Sequence, residues 1–110
     1  MKLSATNQKD FKNVRRLSVD LAKSISKKIR LVLPKEIEGE AACHVAVLQQ
    51  AIIETSSRYK KFRRPAWHFL LNSPSDLSRV CDIAGLEADY ISRLINTAIE
   101  FEDSKEVEAA

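Results

Sequence analysis

The side chains of this sequence best suited to chemistry are cations, and they come in groups. Arg58, Lys60, Lys61, Arg63 and Arg64 crowd one short stretch and are interleaved with Tyr59 and Phe62. Ammonium and guanidinium groups beside flat rings suit a nucleic acid, because the charges neutralise phosphates and the rings stack on bases. The same stretch also suits a helix end, where cations meet the C-terminal dipole. The residues alone leave both readings open. A second group, Lys12, Arg16, Lys23, Lys27 and Arg30, recurs at helical spacing. At about 100° per residue these five fall within about 60° of one another, forming either a phosphate-facing ridge or a solvated face. A third group, Ser92, Arg93 and Asn96, is placed to lead a helix outward. Arginine suits guanine and asparagine suits adenine. Glu87 and Asp89 nearby oppose this use, since carboxylates favour a helix N-terminus but repel phosphates.

Catalytic and metal chemistry find little support. His44 stands beside Cys43, but neighbours on a helix point about 100° apart and no ligand pair at metal spacing accompanies them. No nucleophile–base arrangement, glycine-rich phosphate loop or poised acid pair is present. The expectation is a chain without enzymatic activity, metal or other cofactor. Cys43 and Cys81 both lie in apolar helical patterns and are expected to be reduced, buried thiols.

The elements that position these groups read as helices throughout. The chain has 110 residues, of which 45% are hydrophobic and 30% charged, with only two glycines and three prolines. That is one domain with a real core and little strand signal. Lys9 to Leu33 forms a basic amphipathic helix whose apolar stripe is Val14, Leu17, Leu21, Ile25, Ile29 and Val32. Pro34 ends it. Glu40–Ser57 carries no charge between Glu40 and Glu54 and is expected at the centre of a bundle. Thr55–Arg64 reads as a basic linker. Pro65 opens a helix to Asn72 in which Trp67 anchors the core. Ser73, Pro74 and Asp76 form a start signal of the capping-box type for a helix over Pro74–Ala84.

Leu77–Leu94 gathers the rest. Leu77, Val80, Cys81 and Ala84 form an apolar edge, Gly85 supplies a left-handed stop, and Leu86 plugs the corner. A second helix over Ala88–Phe101 shows Tyr90, Ile91, Leu94 and Ile95 to the same core. Cys81, Gly85, Ile91 and Leu94 hold the positions at which a helix-turn-helix needs a close approach, a turn and a wedge. A plain αα-corner has similar residues. The expected architecture is all-α, about five helices with a helix-turn-helix and a long basic N-terminal helix. The expected boundaries are 1–35 for that helix, 36–102 for the helix-turn-helix domain and 103–110 for a disordered acidic tail.

Net charge is +3, with cations concentrated in the first third and acids at the end. Such asymmetry points to a basic surface with a solvated tail. No signal peptide is legible, and the longest uncharged stretch is too short to span a bilayer, so a cytoplasmic protein without membrane contact is expected.

The landmarks AVLQQAIIE and RRPAWHFLLNSPSDLSRVCDIAGLEADYISRLI, within Ala42 to Leu94, resemble a group of small bacterial proteins linked to phages and gene transfer agents. Ala66, Trp67, Leu70 and Ser73 match its middle block, and Val80, Cys81, Ala84, Gly85 and Leu86 match its corner. Glu87-Ala88 stands where that group has Asp-Pro. The resemblance implies a transcriptional activator whose corner is like the promoter-reading domain of a sigma factor, with RNA polymerase as a partner. Duplex DNA is then the expected ligand. The alternative is an adaptor that uses the corner to bind polymerase or a partner regulator without reading DNA. The stripe of the first helix could pack across the bundle or pair two copies into a homodimer.

Overall fold

The structure is a computed structural model that describes residues 16–109. Among these residues it contains five α-helices and no strand: α1 (Val19–Val32), α2 (Gly39–Glu54), α3 (Lys60–Asn72), α4 (Pro74–Ala84) and α5 (Ala88–Ala109). No helix among them is long and apolar enough to cross a membrane.

The described part of the basic helix starts later than its periodicity predicts. Ser18 is an extended N-cap whose Oγ accepts the Leu21 N–H at 3.2 Å. That bond satisfies one of the free donors of the first turn. Leu17 is drawn instead toward the end of α2, where its N–H donates to the Thr55 carbonyl at 2.9 Å. Arg16 therefore does not lie on the helical ridge, and Lys12 lies outside the described residues. α1 buries Ala22, Ile25 and Ile29 and stops at Leu33, which is extended before Pro34.

α2 turns Val45, Leu48, Ala51 and Ile52 inward. It ends three residues before its expected limit. The buried Thr55 hydroxyl donates to Ile52 O at 2.6 Å and the Ser56 hydroxyl to Ile53 O at 2.6 Å, so these side chains compete with continued helix. Cys81 is fully buried as expected, whereas Cys43 is exposed, on a side of α2 that none of the described helices covers.

α3 departs most from expectation. It begins at Lys60, so Pro65 lies inside it and Lys60–Arg64 are helical rather than linker. The Tyr59 carbonyl accepts from Phe62 and Arg63, both at 3.1 Å, which starts the helix upstream of the proline. The ring removes only the donor that would have met Lys61 O. One residue, Ser73, joins α3 to α4. Pro74 takes the first helical position, but Ser73 makes no side-chain cap bond and Asp76 pairs with Arg79 at 2.8 Å instead of closing a box. At the far end α5 continues as helix to Ala109, through the stretch expected to be a disordered tail.

The core centres on Ile29, Leu48, Ile52, Cys81, Ile91 and Ile95, each at most 2% exposed. Trp67 is buried among them, and its indole N–H has no hydrogen-bond partner among the described residues. α2 packs most closely on α4 and also meets α3 and α1, which makes it the central helix. α1 runs antiparallel to α2, tied by Leu17–Thr55 at one end and by Gln49 Nε2 to Ser26 O midway. It also runs antiparallel to α5, since Ser18 N donates to Glu102 Oε1 at 3.1 Å.

Candidate nucleic-acid interface

The first turn of α3 holds most of one cation group. Arg58, Lys60, Lys61 and Arg64 are exposed, and Arg63 is half-buried. No acidic residue lies in that turn, and the N-cap residue Tyr59 forms no side-chain cap bond. Cations at the positive end of a helix dipole oppose the local electrostatics. The free N–H groups and the side-chain charges there both favour an incoming anion. Two rings complete the patch. Tyr59 is 57% and Phe62 44% exposed, and they meet edge to face at 6.2 Å. Lys61 Nζ stands 5.2 Å from the Phe62 ring centroid.

Two arginines of the predicted groups are committed elsewhere. Arg63 donates to Ser57 O at 2.9 Å, and Arg16 Nε donates to Ser56 O. Both guanidinium groups thus sit on successive carbonyls just past α2, where the helix C-terminus favours positive charge. For these two, the helix-end reading of the sequence describes the local geometry. His44 is also engaged, with Nδ1 2.7 Å from Glu40 O.

The corner between α4 and α5 is closed by backbone bonds. Gly85 is left-handed, at φ 82°. Its N–H donates to Asp82 O at 3.3 Å, and Leu86 N–H donates to Cys81 O at 2.8 Å. This pair of bonds is the Schellman arrangement, with Leu86 and Cys81 as its apolar contact. Burial of Cys81, Leu86 and Ile91 follows. Desolvation, with a contribution from the Asp82 charge, pushes the Cys81 thiol up to about 11. It is a packing group rather than a nucleophile.

On α5, Arg93 and Asn96 are exposed and Ser92 is half-buried. Helical geometry places the exposed Asp89 and Glu100 within about 40° of Arg93. Arg93 is therefore a cation on a strip of mixed charge. It also borders a cleft of about 450 Å³ between α1 and α5, lined by Leu21, Tyr90, Leu94 and Phe101, with Lys28 on the opposite wall. Lys28 belonged to none of the predicted groups. It points about 100° away from Lys27 and so toward α5. Only the pairing of the two helices, which the sequence does not state, reveals it.

Lys23, Lys27 and Arg30 are exposed together on α1, on the side away from that cleft. The predicted groups consequently do not converge. Arg16 and Arg63 mark the end of the bundle where α2 stops. Arg93 lies nine residues before Glu102, roughly 14 Å of helix from that end. Among the described residues no three His, Cys, Asp or Glu side chains gather in a way that could hold a metal ion. No protein-family model matches the chain, and the comparisons with curated proteins and with solved structures found no match.

Proposed function

We propose that this chain is a small cytoplasmic DNA-binding transcriptional regulator of phage or gene-transfer-agent type genes, acting with RNA polymerase. The observation that carries the DNA-binding part is the start of α3: four exposed cations between Arg58 and Arg64, two of them in the first turn, with no carboxylate among them and no side-chain cap at the helix N-terminus. A sequence that breaks the dipole rule this consistently gains something from an anion. Arg58, Lys60, Lys61 and Arg64 hold phosphates. Lys23, Lys27, Arg30 and the pair Lys28–Arg93 are further cationic faces, and Arg93 with Asn96 is the remaining route to a base edge. The assignment to phage or gene-transfer-agent genes, and to polymerase, rests on the resemblance over Ala42 to Leu94 alone.

The test is fluorescence anisotropy of a labelled duplex. Binding is expected at low salt and should weaken steeply toward physiological salt. The double substitution Lys60→Glu/Lys61→Glu should reduce affinity at least tenfold. A flat titration at low salt removes the reading.

The adaptor reading is favoured by a different observation. Exposed Glu87 and Asp89 lead α5, and the neighbouring α1–α5 cleft is largely apolar. Such a surface suits protein more than phosphate. A polymerase pull-down that survives nuclease treatment, from a protein that shifts no DNA, selects it.

A further inference from the structure

We propose that the outer strip of α2 is a self-association surface on which a second copy of this chain packs antiparallel about a two-fold axis. α2 has no charge between Glu40 and Glu54. A helix of that kind belongs inside a bundle. Yet Cys43, Ala46, Val47, Gln50 and Ile53 lie along one exposed side, with Val47 51% and Ile53 47% exposed. Beside the strip runs a groove of about 530 Å³ between α2 and α3, lined by Val47, Gln50, Pro65 and Phe69, with room for side chains from a neighbour.

The charges at the two ends select the occupant. Glu36, Glu38 and Glu40 are exposed where α2 begins, and Arg58, Lys60, Lys61 and Arg64 are exposed beyond its end. Among the described residues none of these seven is in an ion pair. Counting also Lys35 beside the glutamates and the half-buried Glu54 that ends the neutral stretch and borders the groove, the net order along the strip is acid, neutral, base. A parallel copy would set acid on acid and base on base. A copy turned by a two-fold axis sets each acidic end on a basic end and also opposes the two helix dipoles. The strip is thus complementary to itself in one orientation only. The contact uses the cations that the nucleic-acid reading assigns to phosphates, so DNA and the second copy would compete for them. Self-association itself does not depend on that reading.

Sedimentation equilibrium of the full chain in low salt tests it. The mass is expected to double with rising concentration, and Val47→Asp should return it to the monomer value. Reversal of the acidic end (Glu36→Lys, Glu38→Lys, Glu40→Lys) should give a monomer. Reversal of the basic end (Arg58→Glu, Lys60→Glu, Lys61→Glu) should do the same. An equimolar mixture of the two reversed chains should restore the doubled mass. Circular dichroism of each variant confirms that it is folded. A native chain that stays monomeric, a folded reversed chain that still dimerises alone, or a mixture that stays monomeric overturns the proposal. The register has its own check. Cys43 lies about four residues from the middle of the neutral stretch, so its two copies would be roughly 12 Å apart along the axis. A Cys43–Cys43 disulfide on mild oxidation would overturn the antiparallel arrangement.

Discussion

Cys81 shows how one side chain records its surroundings. It lies under the corner with no exposure, and its thiol is raised to about 11 from an ordinary value of 9.0. An acid whose folded value is raised contributes its stability below the unfolded value. That contribution is lost as pH climbs through the folded one. Stability should therefore fall as pH rises from about 9 to 11, by on the order of 2 kcal/mol from this group. Denaturant titrations of native protein and Cys81→Ser across that window check it, since the serine variant, though less stable overall, should lack this slope. A maleimide at neutral pH should modify Cys43 and spare Cys81. The burial of Cys81 was legible in the sequence, because a small residue four places before a corner glycine must allow close approach. The exposure of Cys43 was not. Its neighbours are apolar, and no local pattern says which side of a central helix is left without a partner.

The helices show where local rules decide and where they give way. Gly85 is left-handed, and nothing lies within 4 Å of where a Cβ would stand. Gly85→Ala should then cost only the conformational penalty, about 1–2 kcal/mol, while Gly85→Asn should cost less; thermal denaturation measures both. The left-handed stop at Gly85 and the bounds of α4 are legible in the sequence because glycine and proline act on the backbone directly. Pro65 misled, since a proline inside the second turn removes one bond and the Tyr59 carbonyl had already started α3. The capping box at Ser73 misled because Asp76 found Arg79 on its own helix. At the start of α3, stability and binding pull in opposite directions. Lys60→Glu should stabilise the fold by a few tenths of a kcal/mol through the dipole and weaken duplex binding in the same protein. A melting curve and an anisotropy titration on that one variant separate the two effects. If both quantities fall together, the cations of this turn support the fold and the phosphate role goes with them.

At the scale of the whole molecule the decisive fact is that cations grouped by sequence are separated in space. Periodicity places residues around one helix but does not say which flank the next helix covers. α5 runs back along α1 and divides the lysines between two sides. Lys28 joins Arg93 at the cleft, while Lys23, Lys27 and Arg30 remain on another face. Arg16 and Arg63 are held by Ser56 and Ser57 carbonyls. A rod-like duplex touching one face meets one group at a time. The salt dependence of binding counts those contacts, since log K falls with log salt at a slope of about −0.9 per neutralised phosphate. If Arg58, Lys60, Lys61 and Arg64 act alone, the slope should be about −3.6. If Lys23, Lys27, Arg30 and Arg93 engage the same duplex, it should approach −7. The measurement needs only the native chain and one duplex. The shallower slope, abolished by charge reversal at the start of α3 and unchanged by Arg30→Glu, is the outcome expected if a duplex sits on that end of the bundle without the Arg93 face. The steeper one would mean that DNA wraps the bundle or that two copies bind side by side, and the single-face reading would have to be abandoned.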